Sequence, residues 1–197
     1  MKLKQSPTLI LIDCQEGFND WSCWGGNRNN SSLEQNLQGL LELWRTNQWP
    51  VVHIVHHSQD PNSILRRDKS SGGIWPELTP KADEPVMVKR ENSAFIGTEL
   101  EVYLRRNNAK NLVLAGLTTN HCVSTTTRMA GNMGYDVQLV GDACATFDRI
   151  GPNGVTYDAQ LIHEVCLSDL HGEFCQVVGI SELDIKLGHI GTGTGVS

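Results

Sequence analysis

The sequence is arranged around one stretch, Asn111-Leu-Val-Leu-Ala-Gly-Leu-Thr-Thr-Asn-His-Cys-Val-Ser-Thr-Thr-Thr-Arg-Met-Ala-Gly131. Its apolar run from Leu112 to Leu117 is short and rich in branched side chains, which predicts a buried strand. A polar turn then leads to Cys122, and the residues that follow have a helical period. A thiol in the first turn of a helix, just past a strand, lies where backbone N–H groups and the helix dipole favour an anion. We therefore expect a lowered pKa for Cys122 and a reactive thiolate; the alternative is a small buried hydrophobe.

Composition limits the class of protein. The chain has 197 residues, 39% of them apolar and 19% charged, which suits a single domain over residues 1–197 with a core of about residues 7–180 and a loose Gly-rich tail. A net charge of −6 argues against nucleic acid or an anionic membrane as a partner. No apolar run is long enough for a membrane span and no leader is visible, so we expect a cytoplasmic protein. The six cysteines lack CxxC spacing and are expected to be free thiols.

Strand-like and helix-like segments alternate along the chain. Besides the run at Leu112, the predicted strands are Thr8–Ile12, Val51–His56, Val86–Val88, Asp136–Val140 and Cys175–Val178. Continuous apolar strands that alternate with helices predict a parallel sheet covered on both faces. The last helix is expected from about Thr156 to Leu170. Its predicted buried side comprises Ala159, Ile162, Val165, Cys166 and Leu170.

Three reactive side chains follow predicted strands directly. Asp13 follows the first strand, Lys89 the third and Cys122 the fourth. Ligands of open parallel sheets bind beyond the carboxyl ends of the strands, where strand order reverses. Asp13 and Lys89, taken singly, are better explained as solvated strand caps, but the three residues together indicate a site.

Four motifs carry a resemblance to a known family. They are Leu11–Phe18, Lys89–Thr98, Gly116–Val123 and Gly134–Ala143. In this order and spacing the sequence resembles the isochorismatase-like cysteine hydrolases, which include nicotinamidases, N-carbamoyl amidohydrolases, and ureidoacrylate and biuret hydrolases. The resemblance covers roughly residues 7 to 180 and matches the fold at full length. The predicted fold is therefore a three-layer α/β/α architecture with a six-stranded, mainly parallel, Rossmann-like sheet in the order 3-2-1-4-5-6.

The resemblance implies a catalytic triad of Cys122, Asp13 and Lys89. Asp13 would take the thiol proton and later give it to a leaving amine, while Lys89 would hold Asp13 and favour the thiolate. The family also implies a cis peptide at Leu117–Thr118, which would aim the Thr118 N–H into an oxyanion hole with that of Cys122. The implied activity is hydrolysis of a small amide or carbamoyl compound through a Cys122 thioester.

Two departures from the family narrow the class. Nicotinamidases carry an Asp-x-His metal pair after the second strand, whereas this chain has His53, His56 and His57 there. His53 and His56 alternate across a strand, so we expect no metal and no other cofactor. Isochorismatases proper, which cleave a vinyl ether, characteristically lack the cysteine, and that activity is kept as an alternative.

The substrate is the least determined feature. Candidate contacts are loop residues with aromatic or polar side chains: Gln15, Phe18, Trp21, Trp24, His57, Arg66, Trp75 and Phe95. An aromatic residue is more often simply core. Arg66 and Arg67 would grip a carboxylate in a bidentate pair, although a solvated charge pair is the simpler explanation.

Two rival functions are a thiol-based redox regulator and a catalytically silent scaffold. The complete set of three reactive residues argues against both.

The long loop from His57 to Pro85, which carries Trp75, has more apolar residues than a solvated loop needs. We therefore expect a homodimer or homotetramer that buries part of this loop.

Overall fold

A six-stranded parallel sheet forms the middle layer of the protein. The computed structural model describes residues 6–187, with side chains from residue 6 to residue 183. The strands are β1 (Thr8–Ile12), β2 (Val51–His56), β3 (Val86–Lys89), β4 (Asn111–Leu117), β5 (Asp136–Ala145), β6 (Arg149–Ile150), β7 (Thr156–Tyr157) and β8 (Gln176–Val178). The helices are α1 (Leu33–Thr46), α2 (Leu100–Arg106), α3 (Ser124–Asn132), α4 (Ala159–Leu170) and α5 (Ile180–Leu187).

The sheet order is β3-β2-β1-β4-β5-β8, with β6 and β7 forming a separate antiparallel hairpin. This confirms the predicted order, with β8 as the sixth strand of the sheet. Strand direction is parallel throughout, as expected for strands joined by helical crossovers.

Alternate residues of β1 build two separate cores. Leu9 and Leu11 face a cluster that contains the apolar stripe of α1 and Leu183 of α5. Ile10 and Ile12 face the opposite cluster, which contains buried residues of α2, α3 and α4. Both faces of the strand are therefore dry, which explains why its sequence is apolar without alternation. The predicted three-layer architecture is confirmed.

Strand register fixes which residues meet at the carboxyl edge of the sheet. Ile12 lies beside Ile54 on one side and Gly116 on the other, and His56 lies beside Lys89. The residues just beyond these positions consequently emerge at neighbouring points. Gly116 has φ +127°, and a Cβ there would overlap the carbonyl oxygen of Ile12. Glycine is needed here because β1 and β4 approach closely in a backbone conformation that L side chains rarely adopt.

Strand β5 is longer than predicted. The sequence prediction ended it at Gly141-Asp142, which resemble a turn, but the strand continues to Ala145. Its pairing with β4 shifts between Leu114 and Gly116, so extra residues of β5 are accommodated in an irregularity of the ladder. A β-bulge of this kind often contains glycine, and sequence alone does not distinguish it from a strand end.

Helix α4 begins later than predicted, and its buried side matches the prediction only in part. Thr156 pairs in the β6–β7 hairpin, and the Asp158 side chain caps the helix by accepting a hydrogen bond from the Gln160 N–H at 2.8 Å. The residues that are buried as predicted are Ala159, Cys166 and Leu170. Val165, also predicted to be buried, is exposed, and the buried position on that turn is taken by the polar side chain of His163.

The long loop between β2 and β3 is packed within the chain. Trp75, Leu78 and Leu65 are at most 5% exposed and belong to the core cluster beneath α1. The reasoning that linked this loop to assembly was therefore wrong, and an oligomeric state stays a prediction. The expected Gly-rich tail lies largely outside the described residues, and helix α5 was not anticipated. Across residues 6–187 no helix combines the length and apolar character that a membrane span requires.

We predict that Gly116→Ala lowers the free energy of unfolding by at least about 1–3 kcal/mol, because the substitution adds backbone strain and steric overlap. Chemical denaturation followed by circular dichroism measures the change. The matched control is Gly39→Ala in α1, where a Cβ meets no atom within 4 Å and helix propensity favours alanine. Equal stability of the Gly116 variant and the wild type would contradict the close approach of β1 and β4.

Candidate active site

A buried ion pair lies at the carboxyl edge of the sheet. Lys89 Nζ is 2.7 Å from Oδ2 of Asp13, and both side chains are at most 1% exposed. Asp13 follows β1 with φ +52°, which turns the chain sharply out of the strand. The side chain of Cys122 is a second hydrogen-bond partner of this carboxylate. Asp13 therefore contacts both the ammonium group and the thiol.

The ammonium group of Lys89 has more acceptors than hydrogens. Besides Asp13, it lies 3.1 Å from Sγ of Cys122, 3.2 Å from Nδ1 of His56 and 3.2 Å from the carbonyl oxygen of Glu91. An ammonium has three N–H groups, so these contacts hold it firmly in one position. Sequence reasoning did not assign His56 to this site. The sequence feature that could have indicated this role is the position of His56 at the end of β2, beside β3.

Cys122 lies in a π-helical turn, Thr119–Val123, between β4 and α3. The Leu117–Thr118 peptide is cis, as the resemblance implied. The Thr118 carbonyl accepts hydrogen bonds from the N–H groups of His121 at 3.1 Å and Val123 at 3.3 Å. The thiol is half-buried at the end of the turn, within 4.8 Å of Asp13 and His56 ligand atoms. The structure thus brings Asp13, Lys89 and Cys122 together.

The pKa of Cys122 moves in the opposite direction from the sequence prediction. Burial, with the carboxylate of Asp13 adding to its effect and Lys89 opposing both, raises the pKa of this thiol to about 12. The prediction of a lowered pKa was wrong because it counted the helix terminus but not desolvation beside an anion. Burial also raises the pKa of Asp13, although Lys89 opposes this. The resting site therefore contains a neutral thiol next to a carboxylate–ammonium pair.

Two aromatic residues predicted to contact substrate belong to one aromatic stack. Phe18 packs on Trp24 with ring centroids 4.5 Å apart, and Phe147 completes the group. The indole N–H of Trp24, which is partly buried, donates to the Gly17 carbonyl at 2.9 Å. Phe18 and Trp75 are buried in the same core cluster, so both side chains pack within the chain.

Gln15 braces the backbone around the site. Its side-chain amide donates to the carbonyls of His56 and Gly72, at 3.1 and 2.8 Å, and its oxygen accepts from the His56 N–H at 2.7 Å. Gln15 is fully buried, so it ties β2 and the long loop to β1. The predicted substrate contact is replaced by this positioning of His56.

A cleft of about 1140 Å³ opens beside the end of β3, where Val88 and Arg90 line it. His57, Arg66, Arg67 and Glu91 are among its lining residues, and Cys122 is not among the described residues that line it. Arg66 is partly exposed and makes two 2.8 Å hydrogen bonds with Asp68. Arg66 thus forms a surface charge pair with Asp68, which agrees with the simpler explanation. His57 is one of the residues that line the cleft.

The two remaining aromatic candidates lie nearer the surface. Trp21 is 41% exposed and packs under the guanidinium of Arg28, 5.0 Å from its ring centroid. Phe95 is half-buried and stacks on Tyr135 with centroids 6.1 Å apart. Both have partners within the chain, so neither contact by itself indicates a ligand.

Asp13, His56 and Cys122 offer a carboxylate, an imidazole and a thiol within 4.8 Å of one another. Such a set resembles a metal site in composition. However, the Lys89 ammonium lies at 2.7, 3.2 and 3.1 Å from these three groups. Its positive charge takes the place that a metal ion would need, so the residues do not fit a metal while Lys89 is charged.

A parallel sheet of this order, covered by helices on both faces and with a carboxylate, an ammonium group and a thiol at its carboxyl edge, defines a three-layer α/β/α enzyme fold. The chain belongs to the isochorismatase family, because the Isochorismatase domain matches residues 7–155. The isochorismatase family protein YrdC of Bacillus subtilis, itself uncharacterised, is 41% identical over 92% of this chain and 96% of its own.

Solved structures agree with this assignment. A crystal structure of an isochorismatase-family protein from Chromobacterium violaceum has a TM-score of 0.91 and 41% identity, covering 96% of this chain and 98% of its own. N-carbamoylsarcosine amidase from Thermoplasma acidophilum shares the fold, with a TM-score of 0.70, 23% identity and coverage of 89% and 96%. A ureidoacrylate amidohydrolase, RutB of Klebsiella pneumoniae, is 28% identical over 63% of this chain and 66% of its own. The protein is therefore an isochorismatase-family hydrolase related to amidohydrolases.

We predict that Asp13→Asn speeds alkylation of Cys122 by iodoacetamide severalfold near neutral pH. The Asp13 carboxylate raises the pKa of this thiol and Lys89 lowers it, so the variant leaves the ammonium group unopposed and increases the thiolate fraction. Mass mapping of peptides gives the rate at each cysteine. Cys23, which is exposed and bonded to Asp20, is the internal reference and keeps its rate. An unchanged Cys122 rate would mean that Asp13 does not set the pKa of the thiol.

Proposed function

We propose that the protein hydrolyses a C–N bond of a small amide or carbamoyl compound through a thioester on Cys122. Asp13 is the general base and then the general acid. Lys89 holds Asp13 in place and stabilises its ionised form. The observation that carries this proposal is the convergence of the Asp13–Lys89 pair at 2.7 Å with the Cys122 thiol at 3.1 Å from Lys89. These are the groups that acyl transfer needs: a nucleophile, a base and a fixed charge.

In the first half-reaction, the thiol proton passes to Asp13 as sulfur attacks the carbonyl carbon. The resulting oxyanion accepts hydrogen bonds from the N–H groups of Thr118 and Cys122. When the tetrahedral intermediate collapses, the C–N bond breaks and the leaving amine takes the proton from Asp13. A covalent thioester remains on sulfur, and Lys89 keeps its charge throughout.

In the second half-reaction, Asp13 takes a proton from water as the water oxygen attacks the thioester. Collapse breaks the C–S bond, releases the acid product and returns the proton to sulfur. Microscopic reversibility requires the same group to serve as base and acid in turn. The raised pKa of Asp13, caused by burial, suits this role because the carboxyl can hold the proton between the two steps.

The neutral state of the Cys122 thiol also argues against one rival function, a thiol-based redox regulator. Redox-sensor cysteines are accessible and have low pKa values, whereas the pKa of Cys122 is raised to about 12. A silent scaffold does not need a fully buried ion pair beside a thiol. RutB and N-carbamoylsarcosine amidase, both amide-cleaving by name, favour C–N hydrolysis over cleavage of a vinyl ether.

We predict that a panel of small amides and carbamoyl compounds includes a substrate from which the wild type releases ammonia or an amine. Cys122→Ala abolishes this release because no thioester forms, and activity persists in a strong chelator because Lys89 supplies the positive charge. The measurement is amine release under saturating substrate. Turnover by Cys122→Ala, or loss of wild-type activity that zinc restores, would contradict the proposal.

We predict different pH profiles for Asp13→Asn and Lys89→Met. Asp13→Asn removes the base, and its kcat/KM falls by about 10²–10⁴ at every pH. Lys89→Met removes a charge that lowers the Asp13 pKa, so that pKa rises and the acidic limb of the profile moves to higher pH. The Lys89 variant therefore recovers activity as pH increases, and the Asp13 variant does not.

The double variant completes this test. If the groups act as one unit, it is scarcely slower than Asp13→Asn alone. Circular dichroism must show folded protein for each variant, because breaking a buried ion pair destabilises a protein by about 3–5 kcal/mol. Independent, multiplying losses would mean that Lys89 binds substrate and does not serve Asp13.

A homodimer or homotetramer remains part of the proposal, but its interface is now placed on a different surface from the loop between β2 and β3. Ile150, Tyr157, Leu161 and Val165 of the β6–β7 hairpin and α4 are exposed. Arg128 and Asp169 line the neighbouring cleft, 3.9 Å apart, and their opposite signs allow a second copy to match them across a two-fold axis. A cytoplasmic location likewise stays a prediction.

We predict that sedimentation velocity shows an oligomer that Leu161→Glu dissociates, because a carboxylate would be buried without a partner. The control is Val102→Glu on α2, an exposed apolar position on another element. A wild type that sediments as a single chain at all concentrations would refute assembly, and equal effects of both variants would refute this surface.

A further inference from the structure

The turn that carries the nucleophile is held by a helix that follows it much later in the chain. Thr119 is fully buried and lies between Thr118 and Cys122. Nδ1 of His163, on α4, is 2.8 Å from Oγ1 of Thr119. The Cys166 thiol, one turn further along α4, donates to the Thr119 carbonyl at 3.3 Å. Helix α4 therefore contacts both the side chain and the backbone of one residue in the turn.

His163 is an unusual choice for this position. It is 4% exposed and lies on the buried side of α4, among otherwise apolar residues. Burial lowers its pKa to about 4, so the ring is neutral near pH 7 and pairs with the Thr119 hydroxyl as one donor with one acceptor. An apolar side chain there would leave that hydroxyl without this partner, which is costly inside a protein.

The Thr119 carbonyl has a second partner, the N–H of Ser124 at the end of the turn. This bond spans five residues, the spacing of a π-helix, and such single turns are frequent at functional sites. Because the turn is irregular, its position depends on the groups that hold it from outside. Displacement of Thr119 would carry Cys122 with it and lengthen the 3.1 Å contact between Sγ and Lys89 Nζ.

We propose that His163 is a positioning residue, which holds Cys122 in attack geometry by fixing Thr119. The inference rests on the proposed function of Cys122 as nucleophile. His163 does not touch the thiol and acts through Thr119. Its loss should therefore slow steps that use the sulfur and leave substrate affinity nearly unchanged, since a small misplacement of a reacting group costs up to about a hundredfold in rate.

The test compares His163→Leu, His163→Asn and Thr119→Val with the wild type. His163→Leu and Thr119→Val each remove one half of the pair, and we expect kcat to fall about tenfold or more while KM changes less than about twofold. His163→Asn offers an amide near the Nδ1 position and restores most of kcat. The Leu–Val double variant is no slower than the slower single variant, because both remove the same contact.

Alkylation of Cys122 provides a second readout that needs no substrate. It slows in His163→Leu and Thr119→Val in step with kcat, while Cys23 reacts at its wild-type rate. If the wild type turns over no compound in the panel, the proposed hydrolysis fails, and the alkylation rates still decide the role of His163.

The matched control is His53→Leu. His53 is also a buried histidine, 2% exposed, and is bonded to Glu84 at 3.0 Å away from the nucleophile turn. It should lose stability without losing kcat or Cys122 reactivity. Unchanged rates in folded His163→Leu and Thr119→Val, or equal loss of kcat in His53→Leu, would overturn the proposal. If His163→Leu does not fold, Thr119→Val decides alone, and its failure to fold would show a purely structural role.

Discussion

The structure of the site depends on the buried ion pair between Asp13 and Lys89. Removing either charge from water is costly, and each ion is tolerated because the other lies 2.7 Å away. The contacts from His56 and Glu91 satisfy the ammonium further. A site built in this way has one stable arrangement of charge, and the half-buried thiol is placed against it.

That arrangement decides how the thiol reacts. Asp13 and burial favour the neutral form of Cys122, while Lys89 opposes them, so the nucleophile is not stored as a thiolate. Proton transfer to Asp13 must then accompany attack, which makes the carboxylate and the thiol one coupled acid–base system. The same coupling explains why a positively charged lysine, 3.1 Å from sulfur, is compatible with a protonated thiol at rest.

Much of the fold and the three reactive residues could be predicted from local patterns. Continuous apolar strands such as Thr8–Ile12 predict a sheet covered on both faces, and residues placed directly after such strands must emerge at one edge. The predicted end of β5 and the predicted start of α4 were wrong. Gly141 lies in an irregular part of the β4–β5 pairing, and Asp158 caps the N-terminus of α4. In both cases the local residues allow two structures. Pairing with β4 selects the longer β5, and the β6–β7 hairpin with the Asp158 cap selects the later start of α4.

The sequence by itself determined the position of most strands and the placement of Asp13, Lys89 and Cys122 just beyond strand ends, because strand period and strand ends are local properties. The order of the sheet and the class of protein followed from the four motifs that resemble the isochorismatase family. Tertiary structure alone decided the environment of these groups. It enclosed Trp75 and Gln15 in the protein, brought His56 to Lys89 and His163 to Thr119, and reversed the expected shift of the Cys122 pKa. Burial and proximity between residues distant in the chain set electrostatic free energies, and neither is encoded in any short stretch of sequence.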